Sequence, residues 1–240
     1  MNARHHYWSV MGAVFFAVLF TAGWLVLARY IPPHSPTASA ADIAAWYKAN
    51  HTRIIGGLVL AEIGLAAQTC FFAALSIQMA RIEGRWPVLA VGAMGSGMLA
   101  AVETLIALSF WLTAAFRPDR DPDLILLLND SGWIYMFWAA SVASLQEILL
   151  GACILSDKRA QPVFPRWIAY FSFWIALCIS TDNIMPFFHK GPFAWDGVLV
   201  FWMPLTTYFM WVIVITVALL KAIKRQASSD DDKVSTNHLD

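Results

Sequence analysis

Six apolar runs, each long enough to cross a bilayer, are separated by short polar connections in this chain. They constrain its fold more than any other feature. A hydrocarbon core of about 30 Å takes roughly 20 residues of α-helix, and only a helix or a closed barrel satisfies its own backbone there. The runs are residues 8–28, 54–80, 88–115, 133–155, 166–188 and 198–221. Composition agrees: the chain is 59% hydrophobic and 13% charged, whereas soluble domains carry about 25% charged residues. The reading is an all-α, polytopic membrane protein with six transmembrane helices in one bundle over residues 1–225. A Ser-, Asp- and Lys-rich tail, 226–240, is expected to be disordered. A net charge of zero with no long basic block points away from nucleic acid.

The connections add detail. The first run is longer than the apolar core of a signal peptide, and Ala38-Ser-Ala40 lies far beyond it, so it reads as an uncleaved first helix. Ile31-Pro-Pro-His-Ser-Pro-Thr37 is a proline-rich turn. Ser39 is then placed to cap a short segment, 40–50, whose Ile43, Trp46 and Tyr47 share a face. That segment is expected to be a short interfacial helix. The central stretch Arg117-Pro-Asp-Arg-Asp-Pro-Asp123 is the densest charged segment between two apolar runs. Asp121 suits an N-cap there, with Pro122 at the first helical position. The following helix is expected either to break near Gly132 or to run into span four. A kink is expected at Pro204. With the N-terminus inside, the inner segments hold ten Lys and Arg against six outside, so both termini are expected to be cytoplasmic.

Four acids fall within the spans: Glu62, Glu103, Glu147 and Asp182. A carboxyl in hydrocarbon is expensive, and such groups usually face a bundle interior or a wet cavity. Small residues at helical spacing beside Glu62, Glu103 and Glu147 suggest that these acids face other helices. Glu62, Glu103 and Asp182 are expected to meet in the outer half, as a site for a proton or the polar head of an amphipathic small molecule. The structural alternative is that each acid is hydrogen-bonded to a neighbouring helix and holds the bundle together. At the outer face the candidates are His189, Asp121, Arg117 and Arg120. Arg117, Asp119, Arg120, Asp121 and Asp123 are expected to form a self-neutralising capping network, and residues 124–128 are a candidate lid. His51, His189 and Asp182 lack a close ligand pair such as His-x-x-x-His. No metal or cofactor is expected, and Cys70, Cys153 and Cys178, all within apolar runs, read as buried hydrophobes. The glycines of Gly92-Ala-Met-Gly95-Ser-Gly97 read as helix-packing positions, not a phosphate loop. Deep tryptophans such as Trp111 and Trp211 suit either packing or a cavity wall.

Several loop strings occur together: Arg81-Ile-Glu-Gly84, Phe116-Arg-Pro-Asp-Arg-Asp-Pro122, Leu128-Asn-Asp130, Phe164-Pro-Arg-Trp167 and Gly191-Pro-Phe-Ala-Trp195. With them the chain resembles a group of six-span bacterial integral membrane proteins that carry no assigned activity. The resemblance implies a multi-pass protein of the bacterial inner membrane and supplies no ligand or catalytic residue. Three functions are consistent with the residues. The leading one is a small binding or transport protein with a carboxylate-lined intramembrane cavity. The others are a membrane-embedded enzyme on a lipid-like substrate and an accessory subunit without chemistry of its own. The lipid bilayer is the one partner the sequence names, and it leaves the oligomeric state open.

Overall fold

The computed structural model describes residues 3–138 and 140–236 and is all-helical, with no strand among them. Seven α-helices are present: α1 (Ala3–Phe20), α2 (Ala40–Glu83), α3 (Val88–Phe116), α4 (Pro122–Phe137), α5 (Ala140–Ser156), α6 (Trp167–Ser180) and α7 (Met203–Thr236). Wider or tighter turns extend three of them. Thr21–Leu27 continues α1 as a π-helix, Thr181–Phe187 continues α6 as a 3-10 helix, and Val198–Trp202 leads into α7 as a π-helix. Six of the resulting segments are long and apolar enough to cross a membrane, with α4 and α5 together supplying the fourth.

The helices close into a ring. α2 packs between α1 and α3, α3 packs against α4 and α5, α5 against α6, and α7 returns between α6 and α1. Close approach is bought with small residues. A Cβ on Gly23 would lie 2.3 Å from the Gly57 carbonyl oxygen, and one on Gly57 would lie 2.4 Å from that of Gly23. No larger residue fits at either place while α1 and α2 touch at backbone distance.

Capping sets where the chain turns. Ser39 Oγ accepts the Asp42 backbone N–H at 3.2 Å and starts α2. Glu83, beside Gly84 at φ 83°, accepts the N–H groups of Leu89 and Ala90 at 2.9 and 2.7 Å, so the end of α2 caps the start of α3. Asp121 Oδ1 accepts Asp123 N–H at 2.9 Å, with Pro122 at the first position of α4 as expected. Asp157 holds the loop after α5 by accepting from the backbone of Arg159 and Val163.

Several expectations need revision in detail. Residues 40–50 are helical, but they form the first turns of the 44-residue α2 and not a separate helix, because no glycine or proline interrupts the chain between Ser39 and Gly56. α4 runs through Gly132, where a Cβ would strike the Trp111 indole at 2.2 Å; this glycine serves packing and not a break. The irregularity near Pro204 is a π turn that ends just before it. α7 is helical to Thr236, since nothing after Pro204 breaks it. Residues 237–240 of the tail lie outside the described residues.

Candidate functional site

A half-open cavity of about 150 Å³ lies between the helices, and all six membrane-length segments line it. Aromatic side chains form one part of its wall: Phe16, Phe20 and Trp24 from the first segment, Phe72 from α2 and Phe137 from α4. Polar side chains enter from the others: Gln68 of α2, Glu103 and Thr104 of α3, Gln146 of α5, Asp182 after α6 and Tyr208 of α7.

Local structure aims each of these groups. Gln146 lies against α3 where Gly97 leaves room; a Cβ there would meet its Nε2 at 2.3 Å. Within the Gly92–Gly97 run, Gly97 is therefore a packing residue, whereas Gly95 faces open space. Asp182 stands in the first turn of the 3-10 segment, which Thr181 ties to the lead-in of α7 by donating to the Leu199 carbonyl at 2.7 Å. Gln68 donates to the Tyr208 hydroxyl at 2.5 Å across the ring.

Two of these polar groups are incompletely satisfied. Asp182 is 3% exposed and Gln146 is 2% exposed, yet Oδ1 of the aspartate and Nε2 of the glutamine have no hydrogen-bond partner. Such a buried, unpartnered group costs about 1–3 kcal/mol. One acceptor and one donor on cavity-lining residues are thus unpaired.

The four acids of the spans divide. Glu103, half-buried, and Asp182 line the cavity together. Glu147 is buried but faces elsewhere, against Ser172 of α6, whose hydroxyl also accepts from Trp211 Nε1 at 3.3 Å. Its Oε2 is unpartnered. Glu62 is exposed and points out of the bundle, so the expected meeting of Glu62 with Glu103 and Asp182 does not occur. The reason lies in the helix contact. α1 crosses α2 on the side of Gly57, Ala61 and Gly64, which rotates the neighbouring Glu62 outward.

The residues singled out at the Arg117 end do not line the cavity. Asp121 caps α4, Arg120 donates to the Thr113 carbonyl at 2.6 Å, Arg117 lies 5.9 Å from the Phe116 ring centre, and His189 is exposed. Asp119 pairs at 2.7 Å with Lys48 from the first turns of α2, and that cation holds its carboxyl below the usual range. The charges of the central stretch are therefore not closed within it. Residues 124–128 form the start of α4, with Leu124 and Leu127 exposed and Ile125 buried, and none of them reaches the cavity. Among the described residues no three His, Cys, Asp or Glu side chains gather as a metal-binding set.

Between the cavity and that end lies a layer of aromatic residues. Tyr30 stacks on Trp111 with ring centres 4.4 Å apart, Trp133 meets Trp111 edge-on at 4.8 Å, and Trp24 joins both. Tyr30 and Tyr47 share a hydrogen bond at 3.0 Å, and Trp111 Nε1 donates to the Asn129 carbonyl at 3.1 Å. His34 packs edge-on to Trp46 at 4.3 Å, and its carbonyl accepts from Trp195 Nε1 at 2.7 Å. Burial lowers the affinity of the His34 ring for a proton. Trp24 is the one tryptophan in the cavity wall; Trp111 and Trp211 are packed elsewhere, and Trp138, Trp174 and Trp202 are partly exposed.

Sequence reasoning passed over Gln68, Gln146 and Tyr208. The signal was present, because amides and a phenol within apolar runs are polar groups that need partners. No protein-family model, characterised protein or solved structure matches this chain, so the chemistry of the cavity itself is what bears on function.

Proposed function

We propose that the chain is a small binding or transport protein of the bacterial inner membrane, with both termini cytoplasmic. Its ligand is an amphipathic molecule held in the cavity of Glu103, Gln146 and Asp182. The observation that supports this most directly is the pair of unpartnered buried atoms on Asp182 and Gln146 in one lining. A ligand whose head donates to the aspartate and accepts from the amide would satisfy both. The aromatic wall suits an apolar body, and a cavity of about 150 Å³ matches one known to admit benzene. Small aromatic or branched aliphatic alcohols and amines meet these demands. Two carboxyl groups in the lining, with no Lys or Arg beside them there, also give such a site the means to couple ligand entry to a proton.

Trp24 lies in the wall, and among the twelve tryptophans of the chain the part of the quenching that Trp24→Phe removes reports on the cavity. The purified protein in detergent is titrated with small aromatic amines and alcohols, and saturable quenching is expected. Asp182→Asn and Glu103→Gln should weaken it by about tenfold or more, the scale of a lost hydrogen bond to a charged group, with helicity unchanged. Glu62→Gln, outside the cavity, should bind as the parent does. Equal quenching in the parent and both cavity variants would sink the proposal.

A further inference from the structure

A second hollow lies on the outside of the ring, between α6 and α7, with a volume of about 540 Å³. Its walls are almost wholly apolar: Trp167 and Ile168 on one side, Ile213, Val217 and Ala218 on the other. At one end it finishes under three cations of α7, Lys221, Lys224 and Arg225. This is the end of the bundle where Arg81 and Arg159 also lie, the guanidinium of Arg159 donating to the Arg81 carbonyl.

The three cations do not play the same part. Arg225 is fixed by donating to the carbonyls of Pro162 and Val163, at 3.4 and 2.6 Å, which ties α7 to the loop before α6. Lys221 and Lys224 are exposed, and among the described residues no acid pairs with either. The groove is thus apolar along its length and positively charged at its mouth, at the level where a helix leaves hydrocarbon and Trp167 stands half-exposed.

We infer that this groove is a binding site for an anionic phospholipid, one acyl chain lying between α6 and α7 and the phosphate under Lys221 and Lys224. Charge complementarity selects this occupant over a zwitterionic lipid. Two unpaired ammonium groups attract a net negative headgroup, whereas a choline headgroup adds a cation of its own. The length of the apolar wall selects a lipid over a free phosphate ion, which would gain nothing from Ile213 or Val217. The site is separate from the cavity of Glu103 and Asp182, and its occupancy does not depend on what that cavity holds.

Native mass spectrometry of the full chain, titrated with phosphatidylglycerol or with phosphatidylcholine of the same acyl chains, tests the inference. The parent is expected to retain phosphatidylglycerol preferentially. Lys221→Gln with Lys224→Gln should cut that preference by about thirtyfold, as two charges near a membrane surface imply. Val217→Trp fills the groove from an exposed position and should lower retention of both lipids. Lys158→Gln with Arg85→Gln changes charged side chains that do not line the groove and should change nothing. The inference is overturned if the double lysine variant keeps the preference. It also fails if the Lys158 and Arg85 pair lowers it equally, which would mark a diffuse basic surface, or if Val217→Trp binds as the parent does.

Discussion

The aromatic layer and the cavity beside it share Trp24 but differ in how far their polar atoms are linked. In the layer, Tyr30, Tyr47, Trp111 and Asn129 hydrogen-bond to one another. The indole N–H groups of Trp24 and Trp133 and Nδ1 of His34 are buried in the layer without a partner. In the cavity, an amide and a carboxyl keep an atom without a partner. A closed set of polar contacts stabilises a fold, whereas an open one costs stability unless something else completes it. Both regions keep buried polar atoms without a partner; what distinguishes the cavity is the space beside its lining.

Substitutions sharpen the contrast. The largest effect is expected from Trp111→Ala, which empties the centre of the layer and should cost about 3–5 kcal/mol, read as a fall in Tm in detergent. Asp182→Leu should do the reverse. It removes an unsatisfied oxygen and should raise stability by about 1–2 kcal/mol while abolishing quenching of Trp24. A destabilised Asp182→Leu protein would mean that the carboxyl is structural after all. Tyr47→Phe, which deletes the hydroxyl that bonds both Tyr30 and Asn129, should cost about 1–3 kcal/mol and leave ligand binding intact.

Acid provides a smaller perturbation of the layer, through His34. The folded protein holds the His34 ring below its usual value of 6.5, so the unfolded chain binds the proton more readily. The contribution of His34 is fully present above pH 6.5 and is lost as pH falls through the folded value. Stability measured from pH 7.5 down to 5 should decline, and His34→Gln should flatten that slope. The smallest effect belongs to Lys48→Ala. Its ion pair with Asp119 is exposed, and no change in Tm is expected at physiological salt.

Helix count and span positions were legible because lipid imposes a length and a composition that six runs satisfy. The caps were legible in part. Asp121 with Pro122 carries a local signature, whereas Glu83 caps a different helix from its own, a reach that only the hairpin geometry reveals. The site was half legible. Intramembrane acids can be read from a sequence, but their direction depends on helix rotation. A single step of α-helix turns a side chain by about 100°. That step separates buried Ala61 from exposed Glu62, and cavity-lining Gln146 from Glu147 against Ser172. The Gly23 and Gly57 contact sets the first of those rotations, and it lies in the pairing of two helices, not in either run.

The unbroken length of α2 has a mechanical meaning. Forty-four residues make a rod of about 66 Å, roughly twice the thickness of the hydrocarbon core. Its first turns are packed, with Ile43 and Tyr47 buried and Lys48 paired to Asp119. Tyr47 in the aromatic layer and Gln68 in the cavity wall thus stand about 32 Å apart along one uninterrupted helix. One element sets the positions of both regions.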